Sequence, residues 1–304
     1  MHVLVTGGAG FIGSHTVDLL LEQGARVRVL DNFSTGKPHN LPRHGRLQVI
    51  KGDIRNISLV HAAMEGVSHV VHLAAQVSVA ASVEAPVDSA SINMTGFLHV
   101  LDAAYRAQVR RFVYASSAAV YGVPERLPLD EETPTSPISP YGLEKEINDR
   151  YAGLYRDLYG MPTLGLRYFN VYGPRQDPAS PYSGVISIFC HRLKEKRPLA
   201  VHGDGLQTRD FIYVGDVARA NLAALQGDLV GVCNVATGES VTLRTLIEAL
   251  SQISGQRPLV SYGEARPGDI RYSAADNRRL VEALGVDEFE PLGDGLSRLW
   301  ASNA

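Results

Sequence analysis

The sequence predicts an α/β protein, a doubly wound parallel sheet with a smaller mixed α/β lobe. Three observations support this. Short apolar runs alternate with stretches of helical period in the first half of the chain, and such strand–helix–strand units build parallel sheets with helices on both faces. The chain has 304 residues, 45% of them hydrophobic, enough for a sizeable core. Charged residues make up 20% and the net charge is −3, which excludes a disordered chain and a basic nucleic-acid-binding surface.

Six apolar runs in the first half are predicted as strands buried on both faces of the sheet. They cover residues 3–6, 27–31, 47–51, 70–74, 112–116 and 163–167. Between these runs, apolar residues recur at helical spacing over residues 11–23, 59–65, 93–108 and 141–159. Two Pro-rich loops, over residues 123–140 and 173–183, interrupt the pattern. Loops of this length inside a compact domain are usually binding loops.

The second half has a looser pattern. Residues 209–214 are predicted as a strand, with Asp216 capping a helix over 217–225, and residues 233–236 and 241–253 as a further strand and helix. We therefore expect a nucleotide-binding domain over residues 1–168, with a segment at about 205–237 returning to it. Residues 169–304 are expected to form the second lobe, partly interleaved with the first.

No metal, membrane or disulfide pattern is readable. Cys190 and Cys233 are far apart and form no C-x-x-C pair, so we expect two ordinary buried thiols and no metal site. No apolar run reaches the roughly 18 residues of a membrane helix, and the first residues lack the charged start of a signal peptide. A cytoplasmic location without a membrane partner is expected.

A glycine series follows the first predicted strand. Gly7, Gly10 and Gly13 form Gly-x-x-Gly-x-x-Gly at the start of a helix, where a tight turn and free helix N–H groups can hold a pyrophosphate. Asp31 ends the second strand, 24 positions after Gly7, near the offset at which an acid accepts from a ribose hydroxyl and repels a 2′-phosphate. The pattern predicts NAD rather than NADP. The alternatives are a merely tight turn at the glycines and a turn-forming Asp31 before Asn32.

A further carboxylate fits a dinucleotide-binding site. Asp53 follows the third strand and could reach the adenine edge or cap the next helix, and the two roles are compatible.

Tyr141 and Lys145 lie four residues apart on one predicted helix face, with Ser139 as its cap and Pro140 in its first turn. A lysine charge, a helix N-terminus and a cationic nicotinamide would each lower the pKa of the phenol. Ser116 or Ser117 ends the fifth strand, where open α/β sheets bind ligands. A solvated helix face is the alternative for the tyrosine–lysine pair.

The motifs together resemble those of the extended short-chain dehydrogenase/reductases, which are Rossmann-like, and among them the UDP-hexose 4-epimerases. The resemblance covers the whole chain. It rests on residues 6–13, 72–75, 116–122, 141–145, 167–170, 209–210 and 266–269. It implies reversible, NAD-dependent inversion at C4 of a UDP-hexose through a transient 4-keto sugar. In this reading Tyr141 is the base, Lys145 binds the nicotinamide ribose and tunes the tyrosine, and Ser117 is aligned on the substrate oxygen.

The resemblance also implies two sets of binding residues. The expected NAD contacts are Gly7, Gly10, Phe11, Ile12, Gly13, Asp31, Asn32, Asp53, Ile54, Leu73, Ala74, Ala75, Asn93, Ser116, Tyr141, Lys145 and Tyr168. The expected UDP-sugar contacts are Ser117, Tyr141, Asn170, His202, Arg209, Arg266, Asp269 and Ser273. In the second set, Asn170, Arg209 and Arg266 would hold the diphosphate, Asp269 the uridine ribose, and His202 would lie near uracil. Alternatively, Asn93 only starts a helix and Arg209 pairs with Asp210.

Small residues at three positions predict the reaction and the substrate. Ala118 and Ala119 follow Ser117, where the similar nucleotide-sugar dehydratases and decarboxylases carry an acid that protonates a leaving group. Epimerisation is therefore favoured. Ser273 occupies the position that in this family lines the pocket at the sugar's C2 substituent, and a small residue there leaves space for an N-acetyl group. We expect UDP-N-acetylglucosamine and UDP-N-acetylgalactosamine as substrates. The other role for Ser273 is to cap a turn.

Other functions remain open at this level. They are a UDP-glucose/UDP-galactose 4-epimerase, a UDP-uronic acid epimerase or decarboxylase, and a non-catalytic NAD-sensing protein. The family commonly dimerises through the helices matching residues 93–108 and 141–159, so the resemblance implies a homodimer. Tyr151, Leu154, Tyr155 and Leu158 recur at helical spacing there and could form its interface or an internal packing stripe.

Overall fold

A computed structural model describes residues 1–177, 184–265 and 270–302 of the chain. The strands are β1 (His2–Thr6), β2 (Arg26–Asp31), β3 (Leu47–Lys51), β4 (His69–His72), β5 (Arg111–Ser117), β6 (Thr163–Tyr168), β7 (Asn170–Tyr172), β8 (Leu199–His202), β9 (Thr208–Tyr213), β10 (Gly231–Val235), β11 (Ser240–Thr242) and β12 (Val260–Gly263). The α-helices are α1 (Phe11–Glu22), α2 (Ile57–Met64), α3 (Val79–Glu84), α4 (Pro86–Ala90), α5 (Phe97–Arg106), α6 (Pro140–Tyr159), α7 (Val185–Lys194), α8 (Val214–Gln226), α9 (Leu243–Ser254), α10 (Arg278–Leu284) and α11 (Leu292–Ser302). A π-helical turn covers Ser91–Gly96, and short 3-10 helices cover Pro38–Asn40 and Ala118–Tyr121.

The main sheet has seven strands in the order β10-β6-β5-β4-β1-β2-β3, and every neighbouring pair is parallel. From β1 the chain first builds outward through β2 and β3, and then returns to the other side of β1 with β4. The strand order therefore reverses between β1 and β4, and ligands of such sheets bind beyond the carboxyl ends of the strands at this point. The predicted doubly wound α/β fold is confirmed.

Helices cover both faces of this sheet because its inner strands are apolar on both sides. The prediction that residues 47–51 are buried on both faces is wrong, because β3 is an edge strand and Val49 is 44% exposed. Val3 and Val5 of β1 join a core formed with α1 and α8 on one face. Leu4, between them, joins the core formed with α2, α5 and α6 on the other face. This alternation buries both sides of β1 completely.

The smaller lobe has its own core and two small sheets. Strands β11, β9 and β7 form a three-stranded sheet, and β12 pairs with β8. Helices α7, α9 and α11 pack on these strands through buried side chains such as Phe189, Leu246 and Leu299. None of the described helices is long and apolar enough to cross a membrane. Cys190 and Cys233 are free and buried, as expected.

The predicted elements are present with shifted ends. The helix predicted over 93–108 is a π-helical turn followed by α5, and the fourth strand ends at His72 rather than at residue 74. Asp216 does not cap a helix. It lies inside α8, where its carboxylate accepts a hydrogen bond from the Glu290 N–H at 2.9 Å and pairs with Arg219 at 2.8 Å. Its buried position holds residue 290 against α8, which is a tertiary role that helix spacing does not indicate.

Candidate active site

The turn between β1 and α1 leaves no room for side chains. Gly7 has a positive φ of 69°, and a Cβ there would lie 2.7 Å from the Ala74 nitrogen. A Cβ on Gly13 would lie 2.1 Å from the Gly7 carbonyl oxygen, so α1 begins in direct contact with the turn. No side chain caps α1 at Gly10, which leaves the first helical N–H groups, from Phe11 onward, for a phosphate. This cradle fits the pyrophosphate of a dinucleotide.

Asp31 lies beside the cradle at the carboxyl end of β2. One carboxylate oxygen accepts a hydrogen bond from the Ala9 N–H at 2.9 Å, and the other accepts one from the Phe33 N–H at 2.8 Å. The side chain is buried, and a carboxylate at this place suits ribose hydroxyls and disfavours a 2′-phosphate. The predicted end of the second strand at Asp31 is confirmed, whereas its ribose contact stays a prediction.

Asn32 and Asp53 meet at the ends of β2 and β3. Asn32 Nδ2 donates to Asp53 Oδ2 at 3.0 Å, and Arg55 donates to both oxygens of the same carboxylate at 2.9 and 2.8 Å. The hydrogen bonds from Arg55 hold the pKa of Asp53 well below its usual range. Asp53 does not cap the next helix, because α2 is capped by Asn56, whose side chain accepts from the Leu59 N–H at 3.2 Å.

The chain after β4 bends towards the cradle. The Leu73 N–H donates to the Thr6 carbonyl at 3.1 Å, and the Ala74 N–H donates to the Thr6 hydroxyl at 3.3 Å. The first bond is the last of the ladder between β1 and β4, and in the second a side chain takes the place of a backbone acceptor, so the strand ends at His72. The Thr6 hydroxyl also contacts His72 Nδ1 at 2.8 Å. Burial, assisted by the charge of Lys145, lowers the pKa of His72 to about 3, so this ring is neutral. The NAD contacts expected of residues 73–75 stay predictions.

Ser117, Tyr141 and Lys145 come together where β5 ends and α6 begins. The Ser117 hydroxyl accepts a hydrogen bond from the Ala119 N–H at 3.2 Å, and its interaction with the Tyr141 phenol lowers the pKa of that phenol. Lys145 Nζ lies 5.8 Å from the centroid of the Tyr141 ring and donates to the Ala115 carbonyl at 2.9 Å. The prediction that Tyr141 and Lys145 share one helix face is confirmed.

The first turn of α6 is fixed from two sides. Ser139 caps the helix by accepting from the Gly142 N–H at 3.1 Å, and Pro140 occupies its first position, as the sequence predicts. The Tyr141 N–H donates to Ser82 Oγ of α3 at 3.1 Å. The backbone that carries the phenol is therefore held by its own cap and by a neighbouring helix.

The polypeptide by itself keeps the Tyr141 phenol neutral. Burial raises the pKa of Tyr141, the hydrogen bond with Ser117 lowers it, and the negative charge of Glu144 raises it. Burial also lowers the pKa of Lys145 to about 8. Burial is the largest of these effects, and the lowering of the phenol pKa expected from the lysine, the helix N-terminus and the nicotinamide stays a prediction. The positive charge still needed is the one expected from the nicotinamide ring.

Three residues expected near the cofactor are buried, namely Asn93, Ser116 and Tyr168. Asn93 lies within the π-helical turn, so the alternative that it starts a helix is wrong. Its side chain exchanges two hydrogen bonds of 2.8 Å with the Gln76 backbone. The Tyr168 hydroxyl donates to Asn221 Oδ1 at 2.6 Å, so this phenol is hydrogen-bonded within the protein interior. The NAD contacts of these three residues stay predictions.

Two residues expected to bind the diphosphate lie at the starts of neighbouring strands in the smaller lobe. Asn170 begins β7 and pairs with Phe211 of β9, two residues after Arg209, so Asn170 and Arg209 share one face of this sheet. Asp210 faces the other side, where its carboxylate accepts from Thr237 and Gly238 at 2.8–2.9 Å. That side of β9 is therefore occupied by Asp210 and its partners.

Of the other predicted substrate contacts, two lie within the described residues. His202 ends β8, and its carbonyl accepts from Gln207 at 2.7 Å. The Ser273 backbone is tied to the starts of β9 and β11, since its N–H donates to the Thr208 hydroxyl at 3.3 Å and its carbonyl accepts from the Ser240 hydroxyl at 2.6 Å. Arg266 and Asp269 fall outside the described residues, as does the 178–183 part of the second Pro-rich loop.

The segment that contains Ser273 runs towards the serine end of β5. Two residues later, Ala275 is buried in a cluster with Val120 and Phe169, against which Ala118 packs. The first Pro-rich loop clamps the same segment, because the Leu129 N–H donates to the Ala274 carbonyl at 2.8 Å. Residues 273–275 therefore connect β9 and β11 with the 3-10 helix that follows Ser117.

Two sets of buried charged residues beside the site are not predicted by the sequence. In one, Arg167 Nε lies 3.1 Å from Asp149 Oδ2 and the same guanidinium donates to the Tyr121 hydroxyl at 2.9 Å. In the other, Glu144 accepts from Asn93 Nδ2 at 2.6 Å. Helical spacing could have placed Glu144 and Asp149 near Lys145 on α6, but their partners come from other elements and leave no spacing signal.

Comparison with known proteins agrees with this geometry. The model of the NAD dependent epimerase/dehydratase family matches residues 3–236. The UDP-glucose 4-epimerase of Mycolicibacterium smegmatis is 38% identical and the match covers 98% of this chain and 97% of that protein. The structure of the Thermus thermophilus UDP-glucose 4-epimerase with NAD is 40% identical with a TM-score of 0.92, covering 99% of this chain and 98% of that one. The UDP-N-acetylglucosamine 4-epimerase of Methanobrevibacter ruminantium M1, in complex with UDP-N-acetylmuramic acid, is 37% identical with a TM-score of 0.94, covering 99% and 97%.

The family model includes the glycine cradle and the tyrosine–lysine helix, and the matches to the three relatives also include the small sheets. The chain belongs to the NAD dependent epimerase/dehydratase family and, within it, groups with the UDP-hexose 4-epimerases, which are isomerases that use NAD.

Proposed function

We propose that the chain is an NAD-dependent UDP-sugar 4-epimerase that prefers UDP-N-acetylglucosamine and UDP-N-acetylgalactosamine. The observation that carries the preference is Ser273, a small residue whose backbone is bonded to the starts of β9 and β11 and which lies two positions before Ala275 in the cluster that follows Ser117. A hydroxymethyl side chain here leaves room for an acetamido group at C2. The similar UDP-N-acetylglucosamine 4-epimerase of M. ruminantium M1 is in complex with UDP-N-acetylmuramic acid, which carries an N-acetyl group.

The residues divide the work as follows. Tyr141 takes the proton of the C4 hydroxyl, Ser117 donates to and orients the same oxygen, and Lys145 stabilises the phenolate. NAD held by the glycine cradle would supply the hydride acceptor for C4 and the hydride that is later returned to it. Asn170 and Arg209 share a strand face and would hold the diphosphate, with Arg266 as a third contact. Gly7, Gly13 and Asp31 would hold the dinucleotide.

Dehydration is disfavoured by the residues after Ser117. The 3-10 helix Ala118–Tyr121 starts with two alanines, and Ala118 packs against the buried cluster that includes Val120. No carboxylate stands at either alanine position to protonate a leaving hydroxyl. The chemistry available at this point of the site is therefore proton removal and return at one oxygen.

The direct test incubates purified protein with each UDP-sugar, without added NAD, and identifies the products by NMR. We expect acetylated substrates to be interconverted with a higher kcat/KM than UDP-glucose and UDP-galactose. Ser273→Tyr should lose most acetylated activity and keep plain-hexose activity, whereas Ser297→Tyr on the exposed face of α11 should leave both unchanged. Retained acetylated activity in Ser273→Tyr would refute the role of Ser273, and net NADH or carbon dioxide production would refute epimerisation.

UDP-glucose and UDP-galactose form the second candidate pair. The M. smegmatis and T. thermophilus relatives are both named UDP-glucose 4-epimerases, which favours the unacetylated sugars. The same assay decides between the pairs, since it compares kcat/KM for all four substrates on one preparation.

A homodimer is the second part of the proposal. Tyr151, Leu154 and Leu158 project from α6 with 37%, 50% and 67% of their area exposed. Beside them, Tyr105 of α5 packs edge-on and tilted against Tyr155 and Tyr159, so both helices contribute to one apolar face. A second copy of the chain covering this face would make a four-helix seam. Leu158→Asp should halve the mass measured by light scattering if this is the interface.

A further inference from the structure

A buried carboxylate joins three elements around the proposed catalytic pair. Glu144 of α6 is 3% exposed, and its Oε2 accepts hydrogen bonds from Asn93 Nδ2 at 2.6 Å and from Ser89 Oγ at 2.8 Å. Asn93 is in turn bonded to the Gln76 backbone in both directions. One carboxylate therefore ties α6 to α4, to the π-helical turn and to the loop that follows β4.

The same carboxylate stands next to the groups that move the proton. Glu144 is three residues after Tyr141 and immediately before Lys145 on α6. Its charge raises the pKa of Tyr141 and the pKa of Lys145, since a negative neighbour disfavours phenolate and favours ammonium. Burial makes this influence stronger than it would be at the surface.

We propose that Glu144 is a positioning residue of this site. Its carboxylate fixes Asn93 and the loop after β4 relative to α6, and its charge sets the pH range in which Tyr141 acts as a base. This inference rests on the proposed epimerase function. In this role Glu144 acts through Asn93 and the tyrosine–lysine pair and not by contact with substrate or cofactor.

The other titratable groups around Tyr141 and Lys145 are paired with other residues or neutral. Asp149 of α6 raises the pKa of Lys145, but Arg167 of β6 pairs with it and Tyr114 of β5 donates to it. His72 of β4 is neutral at ordinary pH. The groups that reach Glu144 from α4 and the π-helical turn are the uncharged Ser89 and Asn93. Glu144 is accordingly the charge that raises the pKa of the phenol itself.

The test compares Glu144→Gln with Glu146→Gln in the NAD-containing holoenzyme. Glutamine keeps one oxygen for Asn93 and Ser89 and removes the charge. Glu146 is a matched control, because it lies on the same helix, is also buried, and bonds instead to Thr135 and Arg150. We expect the kcat–pH profile of Glu144→Gln to move about one pH unit towards acid, with the profile of Glu146→Gln unchanged.

A second readout is independent of turnover. The ultraviolet absorbance of tyrosinate, taken as the difference from Tyr141→Phe holoenzyme, should titrate at lower pH in Glu144→Gln by the same amount. Glu144→Asp keeps the charge on a shorter arm, so it should keep the wild-type pH profile. If Glu144→Gln does not fold, Glu144→Ser is the neutral variant. A neutral variant whose kcat profile and tyrosinate titration both coincide with those of Glu146→Gln overturns the proposal. Wild-type protein that epimerises no UDP-hexose instead overturns the function on which it rests.

Discussion

The contact between α1 and the glycine turn gives the sharpest structural prediction. In Gly13→Ala the new Cβ would lie 2.1 Å from the Gly7 carbonyl oxygen and 2.8 Å from the Gly8 Cα, both of which are backbone atoms. An ordinary contact begins at about 3.4 Å, so the helix and the turn must separate by on the order of 1 Å. Backbone cannot rotate out of the way as the end of a side chain can.

The cost follows from that separation. Overpacking a well-packed interior typically costs about 1–3 kcal/mol, and a backbone clash belongs at the upper end of that range. Gly153→Ala is the matched control, because Gly153 is also within a helix but nothing lies within 4 Å of its added Cβ. Alanine should stabilise that site by roughly 0.5–1 kcal/mol. The two variants should therefore differ by about 3–4 kcal/mol in free energy of unfolding.

Urea unfolding of the NAD-free proteins measures this difference, and the nicotinamide retained per chain after purification measures the damage to the cradle. Gly13→Ala should lose most of its bound nucleotide, since the turn that carries the phosphate-binding N–H groups is displaced. Gly153→Ala should retain the wild-type amount. A Gly13→Ala protein that unfolds at the wild-type urea concentration and keeps its nucleotide would show that the cradle is not packed as described.

Three further predictions concern charge and protonation. Arg167→Met leaves Asp149 buried without its partner and should lower the free energy of unfolding by about 3–5 kcal/mol. The control Arg106→Met removes an exposed ion pair and should change the free energy of unfolding by under about 0.5 kcal/mol. Equal losses of stability in urea would contradict this prediction. Tyr141→Phe should lower kcat by roughly 10²–10⁴-fold at unchanged nucleotide content, and a mild loss would remove Tyr141 as the base. Burial lowers the pKa of His72 from 6.5 to about 3, so the unfolded chain binds a proton that the folded chain refuses between these values. Stability should fall as pH falls through this range, and His72→Asn should flatten that dependence in urea titrations.

Most of the main sheet could be predicted because its inner strands are continuous apolar runs. Residues buried on both faces, such as Val3 to Val5, leave a strong signal in the sequence. Strands β7 and β11 of the smaller lobe have three residues each and are only partly buried, so neither alternation nor an apolar run marks them. The helical segments α3 and α4 are likewise too short to show a helical period.

The site was predictable to the extent that its residues are close in sequence. Spacing alone brings Tyr141 and Lys145 to one helix face, and strand ends bring Ser117 to the same edge of the sheet. The bond between Glu144 and Asn93 spans 51 residues, and no local pattern reports it. The direction of the Tyr141 pKa shift also depends on burial, which the spacing of residues does not give.

The edge strand β10 pairs with β6, although the residues between them in the chain build much of the smaller lobe. A chain cut at residue 168 would lack this partner and leave the backbone of β6 exposed as an open template. The nucleotide-binding half thus cannot complete its own sheet. During synthesis, β6 gains this neighbour only after β7, β8 and β9 of the smaller lobe have been made.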